Sequence, residues 1–244
     1  MPTVPPIIRA SGTGLRRMVT AVAVAATLCA TGCQDIGTAA RMVDGSHLVN
    51  TLATRLDRSA ELTYSADYRV AGGSTATLAQ AQRPQRAAYS FPGGKVTVTV
   101  RDTAVCRTPP RKATCVLALS TGDRDPSATA LTAAPDAPAM VAAATVVDLL
   151  IATARDANAH LDQHDTTVAG RHATCVGARA TDNPSVTRFV ACITTEGVLG
   201  SFTGTVNGQP VDIAMTRYRD DVDPAEFDLP HGAKVVHNPR PAAG

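Results

Sequence analysis

Apolar and polar residues alternate along several short segments of this chain, and this period of two constrains the fold more than any other feature. In "ELTYSADYRV", Leu62, Tyr64, Ala66, Tyr68 and Val70 alternate with polar neighbours. Successive side chains of a strand point to opposite faces of a sheet, so the alternation predicts strands with one buried face. Such strands are typical of an antiparallel sheet.

Turn signals separate further segments of the same kind. "STATLAQAQ" ends just before Pro84, "RAAYSF" ends at "PGG", and "KVTVTV" follows. Near the end of the chain, Asn207-Gly208 lies between "GVLGSFTGTV" and "PVDIAMTRYR". Asn-Gly between two alternating segments is the strongest short hairpin signal. We therefore predict antiparallel strands in both halves of the chain.

Two segments have the spacing of helices instead. Leu48, Leu52 and Leu56 lie four residues apart and predict an amphipathic helix over 46–59. "APAMVAAATVVDLLIATARDA" is apolar on most sides and predicts a buried helix over 139–158. The order of helix, strands, helix and strands predicts an α+β fold, a large antiparallel sheet with helices on one side.

The first 32 residues have the pattern of an export signal. Arg9, Arg16 and Arg17 precede an apolar run that ends at "LCATGC", and no acidic residue is present. The run is too short to cross a bilayer, which takes about 20 residues. "ATGC" resembles a bacterial lipobox, so Cys33 is the expected acylation site and first residue of the mature chain. The alternatives are a plain secretory signal and, because of Arg16-Arg17, twin-arginine export.

Removal of 32 residues from 244 leaves 212, and the net charge falls from +2 to −1 because three arginines leave with the signal. No basic surface is left that would indicate nucleic-acid binding. We predict a lipidated tether at 33–44, one domain at 45–236 and a disordered tail at 237–244. The expected location is the outer face of the cell membrane, held by the lipid anchor.

Four cysteines remain in the mature chain after Cys33. An even number in an exported protein indicates disulfides, and four cysteines allow three pairings. The simplest pairing is local, Cys106 with Cys115 and Cys175 with Cys192, the first across a turn at "TPP". Zinc is the alternative, but no C-x-x-C spacing supports it.

Metal and catalytic motifs receive little support. If the predicted helix extended that far, His160 and His164 in "HLDQHD" would share one of its faces, with Asp165 or His172 as a third ligand, but solvated helix-end residues are the more common case. "RYRDDVDP" lacks the spacing of a calcium loop. The chain has no G-x-S-x-G segment and no P-loop. We therefore expect neither an enzyme nor a cofactor or metal.

Several of these segments together resemble the LolA-like superfamily, and within it the LppX/LprG-type bacterial lipoproteins. They are the lipobox before a leucine-striped helix, "ELTYSADYRV", "AQAQRPQRAAYSFPGGKVTVTV" and the closing "TRYRDDVDPAEFDLPHGAKV". The resemblance implies a curved half-barrel sheet with helices packed on its concave side. It also implies that an acylated ligand, a lipid, glycolipid or lipoprotein acyl chain, binds between sheet and helices.

Two functions remain open. In the first, the protein binds and carries such a ligand, and Met140, Val147, Leu150 and Ile151 line the cavity. In the second, these side chains are plain core, and the protein is a structural or partner-binding lipoprotein with no small-molecule ligand. A pocket of several hundred Å³ between sheet and helix would favour the first.

Overall fold

The computed structural model describes most of the chain after the export signal. Its described ranges are 33–109, 112–120, 122, 125–134, 137–156, 159–179 and 188–238, with the backbone alone for 33–44. The predicted export signal at 1–32 and the last residues, 239–244, lie outside these ranges. Contacts divide the chain into two units, 1–44 and 45–244.

Three α-helices and twelve strands make up the described chain. In order they are α1 (Cys33–Asp57), β1 (Tyr64–Arg69), β2 (Thr75–Gln82), β3 (Gln85–Phe91), β4 (Gly94–Thr99), β5 (Asp102–Arg107), β6 (Thr114–Leu119), α2 (Pro126–Thr132), α3 (Ala143–Arg155), β7 (His160–Val168), β8 (Arg171–Arg179), β9 (Phe189–Thr194), β10 (Leu199–Val206), β11 (Gln209–Arg219) and β12 (Lys234–His237). Short 3₁₀ helices cover Arg58–Glu61, Ala71–Gly73 and Pro224–Phe227.

All twelve strands belong to one open sheet in the order β12-β6-β5-β4-β3-β2-β1-β11-β10-β9-β8-β7. Every neighbouring pair is antiparallel except β12 with β6, which is parallel. The pairing of β1 with β11 joins the two runs of strands in the middle of the sheet. The prediction of an α+β fold with a large, mostly antiparallel sheet is therefore confirmed.

The helices pack on one face of the sheet, which we call the helical face. The leucine stripe of α1 lies there, with Leu52 and Leu56 buried, and α3 contributes Val146 and Leu150 to the same core. The strands supply alternate residues to the same core, listed here for β1, β9 and β11: Tyr64, Ala66, Tyr68, Phe189, Ala191, Ile193, Val211, Ile213 and Met215. For β1, the period of two in the sequence identified the buried side correctly.

Part of the opposite, outer face is covered by residues 220–233, which we call the C-terminal strap. Phe227 of the strap packs on Ala79, Ala81 and Ala88 of β2 and β3. The guanidinium carbon of Arg86 lies 4.1 Å from the centre of the Phe227 ring, a cation–π contact. The small alanine side chains on this face leave space for the ring.

Polar contacts fix the strap to the sheet on both sides of the ring. Arg219 Nη2 donates to Glu226 Oε1 at 2.6 Å and to Ser65 Oγ at 2.8 Å, while Ser65 Oγ donates to Glu226 Oε2 at 2.9 Å. Lys95 Nζ donates to the Asp228 carbonyl oxygen at 2.7 Å. The chain then continues into β12, which ends at His237, within the segment predicted as a tail.

Both local disulfides are present. The bridges Cys106–Cys115 and Cys175–Cys192 join directly opposite residues of β5 with β6 and of β8 with β9, with Cα–Cα distances of 4.0 and 3.9 Å. All four cysteines are buried. Strand alternation places both bridges on the outer face.

The long helix is shorter than predicted, and this changes the interpretation of "HLDQHD". Helix α3 ends at Arg155, and His160 and His164 lie exposed on the edge strand β7. The helix therefore does not extend far enough to place the two histidines on one of its faces. Nine consecutive residues of β7 pair with β8, and this ladder outweighs the helical spacing of the histidines.

Helix α2 was not predicted, because its segment is rich in proline and alanine and resembles a connection. The Asp125 side chain caps its first turn, accepting from the backbone N–H groups of Ser127 at 3.0 Å and Ala128 at 3.1 Å. Pro126 occupies the first helical position, where a missing N–H costs nothing. The segment "DPSATA" thus contained a helix start signal.

Candidate functional site

The described residues between the helices and the sheet enclose a cavity of about 20 Å³, room for one water molecule. Its lining residues are Ser59, Tyr64, Tyr68, Leu78, Ser127, Leu131, Met140, Val141, Ala143 and Leu199. Burial raises the pKa of Tyr64 and of Tyr68. Tyr68 Oη donates to the Leu199 carbonyl oxygen at 2.8 Å.

The four predicted cavity residues belong to the buried core or pack against it. Met140 precedes α3 and lines the 20 Å³ cavity. Leu150 is fully buried, Val147 is 9% exposed, and Ile151 is partly buried against the same core. Small-molecule sites usually measure about 300–1,000 Å³. The structure therefore places these side chains in packed core.

A much larger concavity lies on the surface, along the polar side of α1. This groove has a volume of about 750 Å³. Its lining residues are His47, Asn50, Thr51, Thr54, Arg55, Arg58, Glu61, Leu62, Thr195 and Glu196. The α1 residues in this list recur every three or four positions, because they share the helix side that faces away from the leucine stripe. We refer to this site as the α1 groove.

The turn between β9 and β10 forms the second wall of the groove and approaches α1 closely. Gly197 in this turn has φ +97°, and a Cβ at this position would lie 2.6 Å from the Arg55 carbonyl oxygen. Only glycine fits both the backbone angle and the contact. The neighbouring residues Thr195 and Glu196 are therefore held at a fixed distance from the helix.

The end of the groove near Leu62 is fixed by two glutamines. Gln80 Nε2 lies 2.9 Å from the carbonyl oxygens of Ser59, Ala60 and Leu62. Gln82 Nε2 donates to the Ala60 and Leu62 carbonyl oxygens at 2.7 and 2.9 Å. These bonds supply donors to carbonyl groups at the end of the 3₁₀ helix, so this corner of the groove is rigid.

The acidic side chain of Glu196 is already neutralised. Arg171 Nη1 lies 3.2 Å from Glu196 Oε1, and the same guanidinium carbon lies 4.7 Å from the centre of the Tyr218 ring. Partial burial opposes ionisation of Glu196. Its own backbone N–H, the Thr194 and Thr195 hydroxyls and Arg171 together outweigh that effect and lower its pKa.

The cationic side chains of the groove are not neutralised in this way. Within the described ranges, Arg55 and Arg58 have no ion-pair partner. Two threonines of the lining donate to their own helix, Thr51 Oγ1 to the His47 carbonyl at 2.8 Å and Thr54 Oγ1 to the Asn50 carbonyl at 2.9 Å. The groove therefore offers two guanidinium groups and a row of short polar side chains.

The sequence did not identify the groove. The polar side of α1 looks like any solvated helix face, and its partner turn is about 140 residues later in the chain. The one local signal is "TTEGV", where glycine follows a polar pair at a strand end and predicts a tight turn. Nothing in that signal indicates which helix the turn contacts.

The proposed metal ligands are not brought together. Among the described residues, no group of three or more His, Cys, Asp and Glu side chains could hold a metal ion. Asp162 pairs with Arg179 at 2.6 Å, and Asp165 accepts from the Thr174 hydroxyl at 2.9 Å. In the acidic segment that follows β11, Asp223 caps a 3₁₀ helix through the Ala225 N–H.

The anchor can be placed only in sequence. The side chain of Cys33 and the whole export signal lie outside what the structure describes. No helix within the described ranges combines the length and apolar character needed to span a membrane.

Known proteins that are similar to this chain are found among solved structures. No protein-family model and no curated protein matches this chain. Among solved structures, it is similar to an uncharacterized conserved protein from Thermus thermophilus, with 10% identity and a TM-score of 0.44. The match covers 77% of this chain and 98% of that protein.

Proposed function

We propose that this protein is a non-catalytic, lipid-anchored protein of the bacterial cell envelope that acts by binding a partner at its surface. One observation carries the proposal. The interior holds a cavity of about 20 Å³, whereas the α1 groove on the surface measures about 750 Å³. An acyl chain needs a long apolar space, and the groove is lined mainly by polar side chains.

The anchoring part of the proposal rests on the sequence. The apolar segment that ends in "ATGC" provides a small-residue cleavage site and an acyl acceptor at Cys33. Two acyl chains hold a protein stably on a membrane, where one chain does not. Two buried disulfides are also what an oxidising compartment outside the cytoplasm permits.

We further propose that the sheet is a LolA-like half-barrel whose interior has been filled by side chains. Support comes from the open antiparallel sheet and from the three helices that share a core on one face. In this proposal the fold of a lipid carrier is retained as a scaffold, and the function has moved to the outside of α1.

Native mass spectrometry of the protein purified from its own membranes tests the filled interior. We expect the mass of the acylated chain that begins at Cys33, with no additional lipid. A second lipid that co-purifies and survives delipidation of the anchor would refute the proposal.

Tryptophan substitution tests the same point independently. Leu150→Trp adds volume where Leu150 is fully buried, and overpacking costs about 1–3 kcal/mol. The matched control is Val100→Trp, because Val100 is 67% exposed. We expect Leu150→Trp to lower the thermal midpoint and Val100→Trp to leave the thermal midpoint almost unchanged. An unchanged midpoint for Leu150→Trp would mean that the interior has space for a ligand.

A further inference from the structure

We infer that the partner contact in the α1 groove is an extended acidic peptide segment of another protein. This inference rests on the proposed function, since it names the chemistry of the partner. The features that carry it are the unpaired guanidinium groups, the length of the groove and the rigidity of its two walls.

The charges of the side chains that line the groove indicate the class of ligand. Four ionised side chains line the groove, and one of them, Glu196, is neutralised by Arg171 at 3.2 Å. Arg55 and Arg58 then face a single unpaired carboxylate, that of Glu61. Guanidinium groups bind carboxylates through paired N–H donors, and the two arginines, three residues apart, lie on one side of the helix.

The dimensions favour a peptide over a small molecule. From His47 to Arg58 the helix rises about 16 Å, because each residue adds about 1.5 Å. An extended chain of about five residues covers this length at about 3.3 Å per residue. Small-molecule pockets enclose their ligand, whereas this groove is open, and nine of its ten lining residues are polar or charged.

A membrane surface fits the groove less well than a peptide does. Recognition of anionic lipids relies on clusters of about four to eight Lys or Arg side chains on a surface that can lie flat on the bilayer. Here the two arginines lie in a concavity between α1 and the β9–β10 turn. Gly197 packs against the Arg55 carbonyl and fixes the β9–β10 turn against α1. The groove is therefore preformed, which lowers the entropic cost of binding.

Fluorescence anisotropy with labelled hexaglutamate tests the inference on the complete mature chain in detergent. We expect saturable binding at low salt that weakens as salt is added, and no binding of hexalysine. The variant Arg55→Gln/Arg58→Gln should weaken binding at least tenfold. Glu61→Gln should strengthen it, because it removes the one carboxylate that repels the probe.

A matched control removes the same charge elsewhere. Arg101→Gln/Lys112→Gln changes exposed residues near β5 and should leave the affinity within twofold of wild type. Equal losses in both double variants, or no hexaglutamate binding at all, would overturn the peptide assignment. Binding of phosphatidylglycerol vesicles that depends on Arg55 and Arg58, without hexaglutamate binding, would overturn it in favour of a membrane surface.

The proposed surface function and the acidic-peptide inference can be refuted independently of each other. If native mass spectrometry finds a lipid inside the domain, the filled-scaffold function falls, whatever the peptide does. If the interior is free of lipid and hexaglutamate does not bind, the acidic-peptide assignment falls while the surface function stands.

Discussion

Replacement of Gly197 by alanine should destabilise the fold in two ways, through the backbone angle at this position and through a steric clash with α1. The residue has φ +97°, and a Cβ would lie 2.6 Å from the Arg55 carbonyl oxygen. The left-handed conformation alone costs an alanine about 1–2 kcal/mol. Because ordinary contacts begin near 3.4 Å, the turn must also move away from α1 by several tenths of an ångström. Overpacking of this kind costs about another 1–3 kcal/mol.

Gly208→Ala is the matched control for this prediction. Gly208 has φ +76° in the β10–β11 turn, and nothing lies within 4 Å of the position that a Cβ would take there. The Gly208→Ala variant should therefore lose only the stability that the left-handed backbone conformation costs an alanine. Urea denaturation of both variants measures the difference in the free energy of unfolding, expected at about 1–3 kcal/mol. Equal destabilisation of the two variants would refute the close contact between the turn and α1.

Four further outcomes are expected. Tyr68→Phe should lower the free energy of unfolding by about 1–3 kcal/mol in urea denaturation, because the buried Leu199 carbonyl loses its donor; no change would mean that another donor satisfies it. The pKa of Glu196 is lower in the folded protein than in the unfolded chain, where it is about 4.3, so ionised Glu196 stabilises the fold at pH values above 4.3. This stabilisation is lost as the pH falls through the pKa of the folded state. Glu196→Gln should therefore make the thermal midpoint less dependent on pH below about 5, and an unaltered acid profile would contradict this. Phe227→Ala should cost about 3 kcal/mol by the same urea assay, since the ring fills the alanine-lined outer surface; a near-neutral effect would show that the strap is not packed there. Cys33→Ala should move the protein from the membrane fraction to the medium, and retention at the membrane would refute the anchor.

The sheet was predictable because its signals are local. Alternation in "ELTYSADYRV" and the Asn207-Gly208 turn depend on neighbouring residues, and both strands and hairpin formed as expected. Asn207 adopts φ 52° and Gly208 φ 76°, the left-handed angles that this dipeptide tolerates. Cysteine spacing likewise identified the pairs, because residues opposite each other in a hairpin are close in the chain.

The strap and the groove were not predictable, because each depends on contacts between distant segments. Phe227 meets Ala79 and Ala88 only after the sheet has formed, so nothing local in "DPAEFDLP" indicates this contact. The groove needs Gly197 to meet Arg55 across the whole fold. For the strap and the groove, the sequence gives the residue types but does not indicate which distant residues they contact. Tertiary contacts therefore determine both structures.

The pairing of β1 with β11 has a consequence for how the chain reaches this fold. Ser65 lies opposite Arg219, so the middle of the sheet closes between the first strand and the last long strand. Chains are made from the N-terminus, and β1 to β6 can form their hairpins early, since those contacts are local. Until Arg219 and the strap have been synthesised, β1 is an unprotected edge and the alanine surface is bare. A chain that stops before β11 would therefore expose the β1 edge and the alanine surface at the same time. The segment from β11 through the strap is thus the part that protects the nascent protein from aggregation.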